Sequence, residues 1–148
     1  MIFDGYYKNE KETKMVLHNG WLELGDYGKK DENDFIYIVG RAKNMIISGG
    51  LNVYPEEIEK VLRQLEIAEE VVVIGRNDRY WGEEVVALIK PKHNIELSSI
   101  NLKQYCSKYL PKYKVPHEFK KVEEFPYTSS GKISIGKVKK LLEDGKYD

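Results

Sequence analysis

The stretch that decides the fold is GRAKNMIISGGLNVYPEEIE, from Gly40 to Glu59. Its apolar run Met45–Ile47 lies between polar residues and predicts a short, half-buried strand. The adjacent Gly49 and Gly50 predict a turn, because glycine adopts positive φ angles at little steric cost. Pro55 suits the first position of a helix, and the two glutamates after it complement the positive end of the helix dipole. The stretch therefore predicts a strand, a turn and a helix, in that order.

Apolar residues continue beyond Pro55 at helical spacing and predict an amphipathic helix over 55–65. They are Ile58, Val61, Leu62 and Leu65. An ordinary hairpin that leads into such a helix explains the stretch. A substrate-lining loop next to a hinge explains it as well, and the residues alone leave both interpretations open.

The composition argues against several classes of protein. The chain has 148 residues, and its 24 Lys and Arg balance 24 Asp and Glu, which argues against a general nucleic-acid binder. No run approaches the ~20 apolar residues that a membrane-spanning helix needs. The single cysteine, Cys106, excludes an internal disulfide and suits a reducing cytoplasm. Lysine is frequent from Lys103 onward, so the last third of the chain favours an anionic ligand.

The segment before Arg41 predicts too little structure for a core of its own. Trp21–Leu24 and Phe35–Val39 predict short strands, and Gly25–Gly28 predicts the loop after the first of them. Asp4–Thr13 is polar and turn-like and predicts no helix or strand. Because two or three short strands do not bury a core, we expect this segment to belong to a larger domain.

After Arg41, the predicted order is strand, helix, strand, strand, helix, strand, helix. This order predicts an α+β fold, in which a small mixed sheet packs against helices. Beyond the opening stretch, the predicted elements are strands at Val71–Gly75 and Val85–Ile89, a helix from Leu97 to a stop at Pro111, an edge strand at Phe119–Phe125 and a last helix at Ile135–Leu142.

Asp26 and Arg41 carry side-chain groups that suit a nucleotide. The carboxylate of Asp26, in a glycine-flanked loop after a strand, suits the two hydroxyl groups of a ribose. The alternative is a turn aspartate that caps its own backbone. The planar guanidinium of Arg41 suits a ribose or a phosphate, and the alternative is a surface ion pair.

Two lysines are candidates for movement or catalysis. Lys43 lies at the junction, where a few positions absorb a rotation between two bodies; the alternative is an ordinary solvated lysine. Lys132 follows Ser-Ser-Gly in a predicted mobile loop, which suits a charge brought to a developing phosphate or carboxylate. The loop lacks the GxxxxGK[ST] spacing of a P-loop. The remaining metal-ligating and nucleophilic residues are scattered, so we predict no metal site and no nucleophile–base pair: His18, His93, His117 and Cys106.

Three motifs in this chain resemble those of adenylate-forming enzymes, the family of acyl-CoA synthetases, firefly-type luciferases and peptide-synthetase adenylation domains. Gly20–Asp26 (GWLELGD) is similar to the GWxxTGD motif, and Gly40–Glu59 to the GRxKDxIxxxGxNVxPxEIE motif. Pro126–Lys132 (PYTSSGK) is similar to the late PxTxxGK motif. The resemblance extends over essentially the whole chain. It implies a mobile C-terminal lid domain at 42–148, preceded at 1–41 by the short β segment that closes a large N-terminal domain.

The resemblance implies roles for the matching positions. Asp26 would bind the ribose hydroxyls of ATP and of the adenylate, and Arg41 would support the same nucleotide. Lys43 would be the hinge about which the small domain rotates between two half-reactions. Gly49–Gly50 would line the pantetheine path in the second conformation, where a missing side chain leaves room. Lys132 would stabilise the adenylation step, in which a carboxylate attacks the α-phosphate and releases pyrophosphate.

The chain departs from the family motifs at three positions. Leu24 stands in place of a threonine, Asn44 in place of an aspartate, and Ile135 where an arginine often follows the Gly-Lys pair. None of these changes removes a residue with an implied chemical role. The phosphate loop and acyl pocket of the family belong to the large domain. We therefore expect this chain to be a fragment that is inactive alone. Its expected partner is the large N-terminal domain, which the chain lacks.

The function that the resemblance implies is an ATP-dependent acyl-CoA ligase in the cytoplasm, with a fatty acid as the expected substrate. It also implies ATP with Mg²⁺, bound mainly by the large domain, and CoA as co-substrate. The nearest alternative is an aryl or other carboxylate–CoA ligase, or a peptide-synthetase adenylation domain that serves a carrier protein. The alternative of another class is a stand-alone module that binds an anion or a protein.

Overall fold

A computed structural model describes residues 3–93 and 95–147 of the chain. The chain divides after Lys43 into two units, called unit 1 (up to Lys43) and unit 2 (from Asn44). None of the described helices is long and apolar enough to cross a lipid bilayer.

The described residues of unit 1 form one short α-helix and two antiparallel pairs of strands. They are α1 (Glu10–Val16), β1 (Leu17–His18) with β2 (Trp21–Leu22), and β3 (Asp26–Lys30) with β4 (Ile36–Arg41). Among the described residues of this unit, Gly40 alone is buried. Large apolar side chains such as Trp21, Leu24 and Ile36 are mostly exposed. The described part of unit 1 therefore has no hydrophobic core, in agreement with the prediction.

Two local predictions for unit 1 are wrong. Helix α1 overlaps Asp4–Thr13, where the sequence predicts no element. Asn9 caps this helix by accepting a 3.2 Å hydrogen bond from Glu12 N, and none of its residues is buried, so it lacks the apolar periodicity that predicts helices. The predicted loop Gly25–Gly28 instead enters β3, because its backbone pairs with β4, a partner distant in sequence.

In its described residues, unit 2 has a mixed sheet of five strands with three α-helices packed on it. The strands are β5 (Ile46–Ser48), β6 (Leu51–Val53), β7 (Ala68–Asp78), β8 (Gly82–Pro91) and β9 (Glu118–Lys121). The helices are α2 (Pro55–Arg63), α3 (Ser99–Tyr109) and α4 (Ile135–Glu143). The strand order is β6-β5-β8-β7, and β9 pairs with β8 in parallel while the other neighbours are antiparallel. This arrangement confirms the predicted α+β fold.

Both faces of the two longest strands, β7 and β8, are buried along their middle residues. Face A is the side covered by α2 and α3, where alternate strand residues pack in one cluster that includes Val73, Ile58 and Leu102. Face B is the side covered by α4, where the intervening strand residues pack in a second cluster with Val138 and Leu142. Burial on both faces explains why the apolar residues of these strands run continuously instead of alternating.

The opening stretch contains the predicted strand, turn and helix, but the structure adds strand β6 between the turn and the helix, and α2 ends at Arg63, two residues before the predicted end. In β5, Ile46 and Ser48 are buried and Ile47 is half-exposed, which is the alternation of a half-buried strand. Pro55 begins α2, as expected for the first turn of a helix. The predicted edge strand at Phe119–Phe125 is shorter in the structure and ends at Lys121. The chain then leaves the sheet, because Val122 and Phe125 pack into the face B cluster.

Candidate functional site

Asp26 and Arg41 face each other across the first residue pair of the β3–β4 ladder. The Asp26 Oδ1 atom lies 3.2 Å from Arg41 Nε, and the Asp26 side chain is 26% exposed against 57% for Arg41. The 2.8 Å hydrogen bond from Ala42 N to Gly25 O extends the pairing past this point. Strand pairing thus brings the two predicted nucleotide-binding groups together. A carboxylate accepts hydroxyl hydrogen bonds, and a guanidinium donates to anionic oxygens.

Lys43 is an exposed residue of a 3₁₀ helix that spans Ala42–Asn44. It is also the last residue of unit 1. The predicted hinge position is therefore at the junction of the two units in the chain.

Gly49 and Gly50 form the two-residue turn between β5 and β6. Their φ angles are +57° and +78°, and two positive φ angles are what a type I′ hairpin turn requires. Gly49 N donates a 2.8 Å hydrogen bond to the carbonyl oxygen of Trp81, at the start of β8. A Cβ atom on Gly49 would lie 3.1 Å from Trp81 Cε3, whereas one on Gly50 would meet no described atom within 4 Å. The backbone conformation favours glycine at both positions, and the close Trp81 ring favours it further at Gly49.

An open groove of about 880 Å³ lies beside this turn, within unit 2. Its walls are mainly apolar, and they include two exposed lysines, Lys103 and Lys112. The other lining residues are Ser48, Gly49, Leu51, Trp81, Ser107, Leu110, Tyr113, Val115, Pro116 and His117. The groove suits a long, mostly apolar ligand that ends in an anionic group.

Trp81 is held in place from several sides. Its ring centroid lies 5.3 Å from that of His117, and His117 Nδ1 accepts a 3.3 Å hydrogen bond from Val85 N in β8. Asp78 Oδ1 accepts 2.8 Å hydrogen bonds from both Tyr80 N and Trp81 N. These bonds lower the pKa of Asp78, because they favour its charged form. Sequence reasoning missed Trp81, although a tryptophan next to a turn glycine was a signal for it.

Lys132 lies in a closed turn, not in an open loop. Thr128 N donates to Lys132 O (2.8 Å), Lys132 N donates to Thr128 Oγ1 (3.2 Å), and Gly131 N donates to Thr128 O (3.0 Å). Gly131 has a φ of +75°, which glycine adopts at little cost. The Lys132 side chain is exposed. The backbone at Lys132 is therefore fixed, while its ammonium group extends into solvent.

The base of the Lys132 turn is attached to β7. Tyr127 OH donates a 2.6 Å hydrogen bond to Glu70 Oε2, and this bond raises the pKa of Tyr127. Ile133 and Ile135 pack against the face B cluster. The groove beside the glycine turn instead borders the face A cluster through Val115. The base of the Lys132 turn and the groove beside the glycine turn thus adjoin opposite faces of the sheet of unit 2.

In residues 3–93 and 95–147, no group of three or more His, Cys, Asp or Glu side chains is arranged to hold a metal ion.

Known proteins match almost the whole chain. It is 38% identical over 141 residues to a 2-succinylbenzoate–CoA ligase of Geobacillus sp., a match that covers 95% of this chain and 29% of that protein. It is 40% identical over 143 residues to a long-chain-fatty-acid–CoA ligase of Bacillus subtilis, which covers 97% of this chain and 25% of that protein. The chain thus spans between a quarter and a third of the length of these relatives.

A solved structure and a protein family agree with these relatives. The o-succinylbenzoate CoA synthetase of Bacillus subtilis, in complex with an acyl-adenylate intermediate, superposes with a TM-score of 0.85 at 34% identity, over 92% of this chain and 28% of that one. The family described as the AMP-binding enzyme C-terminal domain matches residues 57–132, about half of this chain. The chain therefore belongs to the family of adenylate-forming, AMP-binding enzymes and carries their C-terminal domain.

Proposed function

We propose that this chain is the C-terminal part of an ATP-dependent acyl-CoA ligase. In the first half-reaction, a substrate carboxylate attacks the α-phosphate of ATP and pyrophosphate leaves; in the second, the thiol of CoA attacks the acyl adenylate and AMP leaves. The observation that carries the proposal is that the base of the Lys132 turn and the groove beside the glycine turn adjoin opposite faces of one sheet. A domain with two functional sides suits a reaction with two half-reactions. Rotation of the domain about one hinge would exchange the side that faces the bound substrate.

For the adenylation step we assign Lys132 as the catalytic residue and Asp26 and Arg41 as nucleotide-binding residues. The exposed ammonium group of Lys132 stands on a turn whose backbone is fixed, so its charge is available to an anionic transition state. The carboxylate of Asp26 suits the ribose hydroxyls, and the guanidinium of Arg41 supports its position. The Mg²⁺ that accompanies ATP would be bound mainly by the domain that precedes this chain, and no step here depends on it.

For the thioester step we assign Gly49 and Gly50 as the residues that line the path of the pantetheine arm. Gly49 lines a mainly apolar groove, and the exposed lysines Lys103 and Lys112, which line it as well, suit the phosphates of CoA. A side chain at Gly49 would meet the Trp81 ring, and both residues line the groove. CoA is therefore a better fit than an acceptor without a charged end.

We further propose that Lys43 is the hinge and that a large domain, absent from this chain, covers unit 1. The exposed apolar side chains of β4, such as Ile36 and Ile38, need such a covering, because unit 1 buries no core of its own among its described residues. The chain alone is then inactive. The buried free thiol of Cys106 agrees with a cytoplasmic location.

A fatty acid is the substrate class that we place first, with an aryl carboxylate second. One relative is named for a long-chain fatty acid and another for 2-succinylbenzoate, so both classes occur among proteins similar to this chain. The acyl pocket lies outside this chain, and a panel of acids decides between the two.

The test is ATP–pyrophosphate exchange by the full-length ligase with a panel of fatty and aryl acids. Lys132→Ala is expected to lower exchange by a factor of about 10² to 10³, the usual effect of removing one group that stabilises transition-state charge. Thioester formation from supplied acyl adenylate should persist, since only the first transition state uses this charge. Lys137→Ala, which removes an exposed lysine of α4, is the matched control and should change neither step. Equal losses in both half-reactions would contradict the assignment of Lys132.

A further inference from the structure

Glu83 contacts the strand that carries the glycine turn and has no role in the function proposed above. Its Oε2 atom accepts a 2.9 Å hydrogen bond from the backbone N–H of Ile47 in β5. The neighbouring contacts along the same edge are the Ser48–Gly82 strand pairing and the 2.8 Å bond from Gly49 N to Trp81 O. The Glu83 side chain therefore adds a hydrogen bond between β8 and β5, next to Ser48–Gly82, the residue pair through which the two backbones are joined.

The Glu83 carboxylate occupies a space that Gly75 keeps open. A Cβ atom on Gly75 would lie 2.5 Å from Glu83 Oε1, 2.9 Å from Glu83 Cδ and 3.0 Å from Ile46 Cγ2. The φ of Gly75 lies outside the left-handed region, so the position requires a glycine for space and not for backbone conformation. Any side chain at Gly75 must displace the carboxylate, which is the movable end of a flexible side chain.

The position of the glycine turn depends on few contacts. Strand β5 has three residues, and Gly49, Gly50 and Leu51 at the turn are exposed. A hydrogen bond to a charged group is among the stronger contacts available to such a short strand. Without this bond, the described polar contacts that remain between the β5 side of the turn and β8 are the pairing of Ser48 and the bond of Gly49, beside the burial of Ile46 and Ser48.

We infer that Glu83 is a positioning residue for thioester formation. By accepting the hydrogen bond from Ile47 N, Glu83 sets the position of the Gly49–Gly50 turn relative to Trp81. The position of this turn then sets the width of the groove where Gly49 lines it. The inference rests on the proposed function, in which this turn lines the path of the CoA thiol.

The first test uses the present chain and residue-resolved amide hydrogen exchange. Glu83→Ala and Gly75→Ala are each expected to speed exchange at Ile47 N–H about tenfold or more. Glu83→Gln should restore slow exchange, because its amide oxygen accepts the same bond. The double variant should exchange no faster than the singles, since both remove one contact. Glu96→Ala, at an exposed glutamate before α3, is the control. Unchanged exchange at Ile47 in Glu83→Ala overturns the inference.

The second test uses the full-length ligase and separates the two half-reactions. Glu83→Ala and Gly75→Ala should lower kcat/KM for CoA about tenfold, leave pyrophosphate exchange within about twofold, and be rescued in Glu83→Gln. A general loss of stability would lower both half-reactions equally, and that result overturns the inference. If the unmodified enzyme forms no thioester, the proposed function fails together with the inference. If it forms thioester and both variants keep their kcat/KM for CoA, the inference alone fails.

Discussion

Alanine at Gly49 and alanine at Gly50 form a matched pair of perturbations in one hairpin turn. Both residues have positive φ angles, +57° and +78°, so each substitution places an L side chain in a disfavoured conformation. They differ in what the new methyl group meets. At Gly49 it lies 3.1 Å from Cε3 and 3.3 Å from Cζ3 of Trp81, and at Gly50 it meets no described atom within 4 Å.

The expected costs follow from these two terms. The left-handed conformation costs an L residue about 1 to 2 kcal/mol, and the lower entropy of the unfolded alanine chain offsets about 0.4 to 1 kcal/mol. Gly50→Ala should therefore lower the free energy of unfolding by about 1 kcal/mol. Gly49→Ala adds a contact of 3.1 Å with a half-exposed ring, and relieving it takes a shift of only a few tenths of an ångström, so the low end of an overpacking penalty applies, about 1 kcal/mol. We expect about 2 kcal/mol for Gly49→Ala.

The assay is urea unfolding of the 148-residue chain, followed by far-ultraviolet circular dichroism. The same pair should be measured in a Trp81→Ala background, where the two substitutions should cost the same because the ring is gone. In the full-length ligase, Gly49→Ala should also raise KM for CoA more than Gly50→Ala, because the methyl group displaces a wall of the groove.

Equal costs for Gly49→Ala and Gly50→Ala in the unmodified chain would refute this reasoning, since they would show that the Trp81 ring does not confine Gly49. A difference that persists in the Trp81→Ala background would assign the extra cost to another neighbour.

Two further predictions concern the hinge and the buried thiol. Lys43→Pro in the full-length ligase should slow thioester formation more than pyrophosphate exchange, because proline fixes φ at the junction of the two units. The control, Lys43→Ala, should slow thioester formation less. If Lys43→Pro leaves thioester formation unaffected, the hinge lies elsewhere. Burial raises the pKa of the Cys106 thiol from 9.0 to about 11, so at pH 8 the folded chain holds about a hundredfold less thiolate than the unfolded chain. Reaction with DTNB should be slower in buffer than in urea by at least about that factor, and similar rates would show that the thiol is accessible. Because the folded state favours the neutral thiol, the contribution of Cys106 to stability is present below pH 9 and is lost as the pH rises towards 11. The urea concentration at the unfolding midpoint should therefore fall over this pH range more in the unmodified chain than in Cys106→Ala.

Local signals explain why much of unit 2 was predictable. The turn at Gly49–Gly50, the helix that begins at Pro55 and the apolar runs of β7 and β8 each depend on residues that are close in sequence. The conformational preferences of glycine, of proline and of a continuous apolar run are local, so they do not depend on a partner that is distant in sequence. The positions named as site residues came from three motifs, and their chemical roles stay predictions until the half-reactions are measured.

The sequence by itself determined that β5, the glycine turn and α2 follow one another, and that the chain resembles an adenylate-forming enzyme. Only the tertiary structure decided that Asp26 begins a strand opposite Arg41, that Trp81 confines Gly49, and that Glu83 reaches Ile47 across the space left by Gly75. These contacts join residues far apart in sequence, so they depend on strand register and on which strands become neighbours. No local propensity encodes them, because the same residues in another register would point to the opposite face of the sheet.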